Sequence, residues 1–335
     1  MNIADLHRLP SLMPLSFHSP RASEITWQDP LDSEESQSAG TNAGTASADS
    51  SETSQEESGT SPLVAPSSQF SETFRNFLLQ LQERGFFTGE GHDFVNGIDG
   101  AQVIGTDEAD HIAVGSNAAV SAGKGDDTVY AWSGSSVDGG EGNDTLVSWT
   151  QGRLSGGEGD DRIDAWSDSW VDGGSGDDYL SAWSNSLVFG GDGNDDISVW
   201  SNSVVDGGEG DDVIAAWTGS TVDGGAGDDR ISVREDSEVT GGTGDDSITI
   251  SSGIVNYAAG DGNDTIRAEG KVTLKFGAGI EPESTHVAYD GDTATITFDG
   301  SDEKITVENG PGAQVRLAFS NGTSLAVAAG DDLIG

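Results

Sequence analysis

The chain has no cysteine, so neither a disulfide nor a thiolate-held zinc can stabilise it. Basic side chains are scarce as well: 14 Lys and Arg face 59 Asp and Glu, giving a formal net charge of −45. That balance argues against nucleic acid and anionic membrane as partners, because both would repel it. No run approaches ~18 apolar residues, so no membrane span is expected. The opening MNIADLHRLPSLMPLSF lacks a basic start followed by an apolar stretch, so export is expected to use a route without a Sec leader. His7, His18, His92, His111 and His286 are scattered and form no HExxH. No G-x-S-x-G elbow and no P-loop is present, and no enzyme is expected.

What is abundant is glycine, 49 residues, in a chain only 33% apolar. Such a composition fits either a disordered acidic chain or one whose acids are neutralised by bound cations. The order of the residues decides between them.

Residues 1–66 read as a disordered Ser/Glu-rich segment, because Asp32 to Ser61 holds nothing to bury. Residues 67–103 read as an amphipathic helix and N-terminal cap. Within it Phe70, Phe74, Phe77, Leu78 and Leu81 recur at helical spacing, with Ser68 or Ser71 as the start and Gly85 as the stop. This helix is expected to cover the first coil of the repeat region C-terminal to it, or else to dock an export or partner protein.

From Ile104 to about Lys275 ten blocks align with a period of 17, among them DGGEGNDTLVSWTQGRL, SGGEGDDRIDAWSDSWV and DGGSGDDYLSAWSNSLV. Positions 2 to 7 of most blocks read GGxG[DN]D, and the glycines are expected to permit positive φ in a tight turn. An aliphatic residue follows two residues after the last Asp: Ile112, Val129, Leu146, Ile163, Leu180, Ile197, Ile214, Ile231, Ile248 and Ile266. Another closes each block, from Val120 and Val137 to Val255 and Val272. Each block therefore predicts two short strands with inward-pointing residues, and stacking the blocks buries two aliphatic ladders. Stacking also brings the position-7 carboxylates to ~4.8 Å spacing, where neighbours repel by about 3–4 kcal/mol at an effective dielectric near 20. A bridging Ca²⁺ would convert that repulsion into coordination and make metal affinity part of the folding energy.

GGEGNDTLV (139–147), GGEGDDRID (156–164) and GGSGDDYLS (173–181) resemble the GGxGxDxUx nonapeptide of the RTX, or haemolysin-type, calcium-binding repeat family. The resemblance implies an all-β fold: a right-handed parallel β-roll (solenoid) of about ten 17-residue coils over 104–275. A disordered N-terminus, a short capping helix and a small β cap at 276–335 complete the expected architecture. The implied ligands are the carboxylates of Asp127, Asp144, Asp161, Asp178, Asp195, Asp212, Asp229, Asp246 and Asp264. Main-chain carbonyls would come from Gly123, Gly125, Gly139, Gly140, Gly142, Gly156, Gly157, Gly159, Gly173, Gly174, Gly176, Gly190, Gly191, Gly193, Gly207, Gly208 and Gly210. Further along they would come from Gly224, Gly225, Gly227, Gly241, Gly242, Gly244, Gly260 and Gly262.

Three departures from the family pattern bear on the site. The first block has TDEAD, which makes Asp110 a weaker candidate, and the AGKGDD loop puts Lys124 near a site. The return half reads AWSDSWV or AWSNSLV instead of a second Gly/Asp loop, so Ca²⁺ is expected on one side of the roll, at roughly eight or nine inter-loop sites. In the cap, strands are expected at Thr293–Phe298, Lys304–Glu308, Val315–Phe319 and Ser324–Val327. In the family such a C-terminus closes the roll and in many members carries an uncleaved type I secretion signal, and AAGDDLIG is read here as a candidate signal.

Trp132, Trp149, Trp166, Trp183, Trp200 and Trp217 share position 12 of six consecutive coils. By alternation this position faces outward or lies at a strand end. The column is either a stacked ladder steadying the metal-free edge or an exposed strip for a glycan, a surface or another protein. Two readings of function stand at this point. One is a secreted, extracellular bacterial calcium-binding adhesin, matrix or surface-binding protein, leaving by type I export. The other is a type III-like effector delivered to a host cell.

Overall fold

A computed structural model describes residues 92–327; the segment 1–66, the helix expected over 68–85 and the C-terminal AAGDDLIG lie outside the described residues. Within them are 27 β-strands, one 3₁₀ turn at Pro282–Ser284 and no α-helix. Two sheets account for every strand. The odd-numbered strands from β1 (His92–Asn96) to β21 (Thr265–Ala268) form most of a 14-stranded sheet. The even-numbered ones from β2 (Gln102–Ile104) to β22 (Lys271–Phe276) form most of a 13-stranded sheet. All pairings among these strands are parallel, and the chain alternates between the sheets, so this part is a β-solenoid of two strands per coil.

The register follows from the sequence period. Leu180 in β11 (Tyr179–Ala182) lies between Ile163 and Ile197, and Val188 in β12 (Leu187–Asp192) lies between Val171 and Val205. Like therefore stacks on like, 17 residues apart, and a one-residue slip would turn each ladder out to solvent. Both predicted aliphatic ladders are buried along their whole length. A third, smaller column between them, from Ala165 and Ala182 to Val233 and Ile250, completes the core.

The stack extends beyond the repeat at both ends. β1 and β2 pair in parallel with β3 (Asp110–Val114) and β4 (Ala119–Lys124), so among the described residues coiling is present from His92, twelve residues before the first block. Strands β1 to β22 thus make eleven coils against the ten blocks read from sequence. One more parallel rung is added where β25 (Lys304–Asn309) joins β21 and β26 (Gln314–Ala318) joins β22. The direction then reverses: β24 (Thr293–Phe298) and β23 (Thr285–Asp290) add antiparallel to one sheet, and β27 (Ser324–Val327) to the other. The four strands expected in the cap are present, with β23 in addition. Tyr257, Phe276, Phe298 and Phe319 fill the joint between roll and cap.

Candidate functional site

One edge of the roll is a column of aspartates. Asp127, Asp144, Asp161, Asp178, Asp195, Asp212, Asp229, Asp246 and Asp264 sit one above another, each no more than 3% exposed. The main-chain N–H of each donates to Oδ1 of the Asp in the next coil, at 2.7 to 2.9 Å from Asp127 through Asp229. The last step, Asp246 to Asp264, spans 18 residues and stretches to 3.2 Å, because an extra residue widens that loop. One carboxylate oxygen is thereby held. The other, Oδ2, is buried with no hydrogen-bond partner in Asp127, Asp144, Asp161, Asp178, Asp195, Asp212, Asp229 and Asp246. Eight unsatisfied buried carboxylate oxygens in one file are costly unless something positive meets them.

The glycines beside the column mark the space next to those oxygens. Position-3 and position-5 glycines such as Gly174 (φ +115°) and Gly176 (φ +125°) adopt the left-handed conformation expected of them. The position-2 glycine does not, and its reason is space. A Cβ on Gly173 would overlap Asp178 Oδ2 and the carbonyl oxygen of Gly190, in the next coil. Gly139, Gly156, Gly190, Gly207 and Gly224 repeat the arrangement with Asp144, Asp161, Asp195, Asp212 and Asp229. Six coils therefore point a partnerless carboxylate oxygen and a glycine carbonyl at the same small space. The two end steps are incomplete. Ala122 stands at position 2 beside Asp127, and the atoms nearest a Cβ on Gly241 all belong to Asp246, with no carbonyl as close as in the other six.

Burial raises the carboxyl pKa along the column, to about 7 for Asp144, Asp161, Asp178, Asp195, Asp229 and Asp264 and to about 6 for Asp127, Asp212 and Asp246. Desolvation is the main cause, opposed by the hydrogen bond from the preceding coil and reinforced by neighbouring carboxylates. The donor set, hard carboxylate and carbonyl oxygens without nitrogen or sulfur, is the set that Ca²⁺ takes. Among the described residues no three His, Cys, Asp or Glu side chains gather into a metal-binding group, so main-chain oxygens would have to complete the coordination.

Other residues singled out from the sequence have different surroundings. Asp110 is buried, but its Oδ2 accepts from the Thr106 main-chain N–H at 2.6 Å and its Oδ1 from the Thr106 hydroxyl, supplied by the divergent TDEAD loop, at 3.2 Å. Lys124 is exposed and paired with Glu141 of the next coil, along the rim. Gly262 stacks on the carbonyl of Gly244, whereas a Cβ on Gly260 would meet nothing. Next to the buried column runs an exposed one at position 6, whose hydrogen bonds point the other way: Asp177 N–H donates back to Asp160 Oδ1 at 3.0 Å, and Asn194 N–H to Asp177 Oδ1 at 2.8 Å.

The opposite edge carries a neutral counterpart that the repeat motif does not announce. Ser135, Ser169, Ser186, Ser203, Ser220 and Ser237, at position 15, are buried. The Ser186 N–H donates to Ser203 Oγ at 3.3 Å, as the Asp N–H groups do to Oδ1 across the roll. A hydroxyl completes the ladder there without charge, which leaves that edge no demand for a cation. The residue before it, as in Asp168, Asn185 and Asn202, has positive φ. Its signal in the sequence is the Asn, Asp or Gly that recurs at position 14. Beside this edge the six tryptophans stack at centroid distances of 4.3 to 5.4 Å with ring planes within 13°. The guanidinium of Arg234 lies over Trp217 at 4.4 Å and ends the column. Each interior indole has both faces covered, which leaves only ring edges to any ligand.

A family model described as RTX calcium-binding nonapeptide repeat (4 copies) matches residues 104–137, 119–146, 153–180, 167–186, 201–222 and 219–237. No curated protein matches the chain. The matched stretches lie in the coils that carry the aspartate column, with its partnerless oxygens and glycine carbonyls. Over residues 104–237 the chain carries RTX calcium-binding nonapeptide repeats, wound into a parallel β-roll.

Proposed function

We propose that the chain is a secreted protein whose roll becomes ordered on binding Ca²⁺ outside the cell, and which works without catalysis as an adhesin, matrix or surface-binding protein. The observation that carries this reading is the file of buried Asp Oδ2 atoms facing glycine carbonyls. At neutral pH such a file repels itself, and hard cations turn that into coordination. Six complete cradles, from Asp144 to Asp229, would hold six ions on one edge, fewer than the eight or nine counted from loop pairs. Asp127 and Asp246 would bind more weakly. Extracellular calcium modules bind at ~10⁻⁴–10⁻³ M, and sites of that strength stay empty in a cytosol.

Titration calorimetry on the chelated full-length chain tests this. The expected result is about six ions per chain at sub-millimolar affinity, with strand circular dichroism appearing as the sites fill. No uptake at millimolar Ca²⁺ would overturn the proposal. Affinities in the range of ~10⁻⁷–10⁻⁵ M would instead support delivery into a host cell, where only tighter sites fill.

A further inference from the structure

The cap bears a cleft of about 690 Å³ whose charge is out of keeping with the rest of the molecule. Three charged residues line it, Lys271, Arg316 and Asp292, and they leave one positive charge in excess in a chain of net charge −45. Lys271 begins β22 and Arg316 lies in β26, and the register sets Lys271 beside Gln314 and Thr273 beside Arg316. Both cations alternate with buried Val272, Val315 and Leu317, so both stand on the outer face of the 13-stranded sheet. Strand spacing and a two-residue offset put their backbones ~8 Å apart, close enough for two long side chains to converge on one small molecule.

These cations are also unusual in being unpaired. Among the described residues, Lys124, Arg162, Arg267 and Lys275 are in ion pairs, and Arg153 and Arg234 lie over tryptophan rings. Lys271 and Arg316 have neither kind of contact, although Asp292 lines the same cleft. The scaffold holds the opposite charges apart. The Asp292 carbonyl accepts from the main-chain N–H and Nδ2 of Asn309 at 2.9 and 3.0 Å, which fixes its turn against β25, while the cations sit on two paired strands. Separated charges around one cleft favour a molecule that carries the reverse arrangement.

We propose that the cleft binds a free acidic α-amino acid, with its two carboxylates on Lys271 and Arg316 and its ammonium on Asp292. The Arg316 fork takes a carboxylate through two N–H groups, and Lys271 adds a compact charge. Gln314 and Thr273 supply neutral hydrogen-bonding groups beside them. The volume falls within the ~300–1,000 Å³ of small-molecule sites. Other anions fit less well. Among the described residues lining the cleft none is aromatic, so a nucleotide base has nothing to stack on. A long polyanion is repelled by the acidic roll around the site, and a bare oxyanion leaves Asp292 facing a like charge. Lys271 follows the turn that stacks on Ser251, on the edge opposite the aspartate column. Binding there uses no calcium ligand, so the proposal goes beyond the calcium reading.

Saturation-transfer NMR on the full chain in millimolar Ca²⁺ tests this with three probes. L-glutamate is compared with glutarate, which lacks the ammonium, and with L-glutamine, which lacks the second carboxylate. Glutamate should bind about threefold to fivefold more tightly than either, the effect of one exposed charge contact. Lys271→Gln/Arg316→Gln should lose glutamate binding, and Asp292→Asn should bind glutamate and glutarate alike. All three side chains are exposed, so Ca²⁺ uptake and strand dichroism should match the parent. Equal binding of the three probes by the parent would overturn the proposal. So would glutamate binding that persists in Lys271→Gln/Arg316→Gln, which would place the ligand on the metal edge. No glutamate binding by a chain that still takes up Ca²⁺ would sink this site and leave the calcium reading standing. The probe series on the parent chain decides if a variant fails to fold.

Discussion

The main-chain N–H of Asp178 donates to Oδ1 of Asp195 at 2.8 Å, while Asp195 Oδ2, 17 residues further along the chain, is buried without a partner. One carboxylate thus has two parts to play: one oxygen joins two coils, and the other, under the proposed function, is a Ca²⁺ ligand. Substitution can separate them. In Asp178→Asn/Asp195→Asn the amide oxygen still accepts the inter-coil hydrogen bond, but the charge that attracts Ca²⁺ is gone. The stoichiometry by calorimetry should fall by about two ions, and the Ca²⁺ concentration needed to order the chain should rise.

Gly173→Ala and Gly174→Ala should fail for different reasons. At Gly173 the backbone is ordinary, and the new methyl would fill the space shared by Asp178 Oδ2 and the Gly190 carbonyl, so one Ca²⁺ should be lost. At Gly174, with φ of +115°, the methyl meets backbone strain of about 1–3 kcal/mol and also overlaps the Gly157 carbonyl oxygen of the preceding coil, so the penalty falls on the stacking of coils. Calcium titrations on both, followed by thermal melts in saturating Ca²⁺, distinguish a lost ion from a strained turn forced against the coil below it.

Protons should compete with calcium. The column's carboxyls are raised from near 3.8 when unfolded to about 6 or 7 when folded. Their stabilisation of the metal-free roll is therefore complete below the unfolded pKa and lost as pH rises through 6 to 7. In chelator, strand dichroism should increase as pH is lowered from 8 to 5. With Ca²⁺ present the apparent affinity should fall over the same interval, and binding at pH 6.5 should release protons, measurable as a dependence of calorimetric heat on the buffer.

The tryptophan column should matter for stability and little for metal. Trp183→Ala removes two stacked contacts, at 5.4 and 5.2 Å, and should cost about 1–3 kcal/mol in denaturant midpoint measurements made in Ca²⁺. Its Ca²⁺ stoichiometry should match the parent. Arg234→Ala, which uncaps one end of an exposed stack, should cost less than about 1 kcal/mol.

The period of 17 made much of this legible. It places Leu180 on Ile163, Val188 on Val171 and Asp178 on Asp161, because identical residues at identical intervals leave one register that buries the aliphatics. It also correctly puts position 12 at the edge. What it hid lay where the motif is absent or where one residue type serves two ends. His92–Ile104 and Lys304–Ala318 lack the Gly/Asp loop, yet they coil because the open ladder ends of β3, β4, β21 and β22 accept further strands. Gly173 and Gly174 look alike in sequence, but only the second needs positive φ; the demand on the first comes from an aspartate five residues on and a carbonyl in another coil. Ser186 reads as turn filler until its neighbours 17 residues away show it to be an uncharged version of the Asp rung.

A stack of identical coils has no built-in length, since the last exposes the same unpaired edge as the first. Strands β24 and β27 answer this by running against the grain of the sheets they join, with β23 folded back outside β24. An incoming molecule would find at this end β27 as an edge of the wrong polarity for its own first coil, and in the other sheet a hairpin, β24 and β23, in place of the open rung of the roll. Cutting the chain before His286 would restore a parallel rim, and chains shortened there should concatenate head to tail into filaments that the full-length protein does not form.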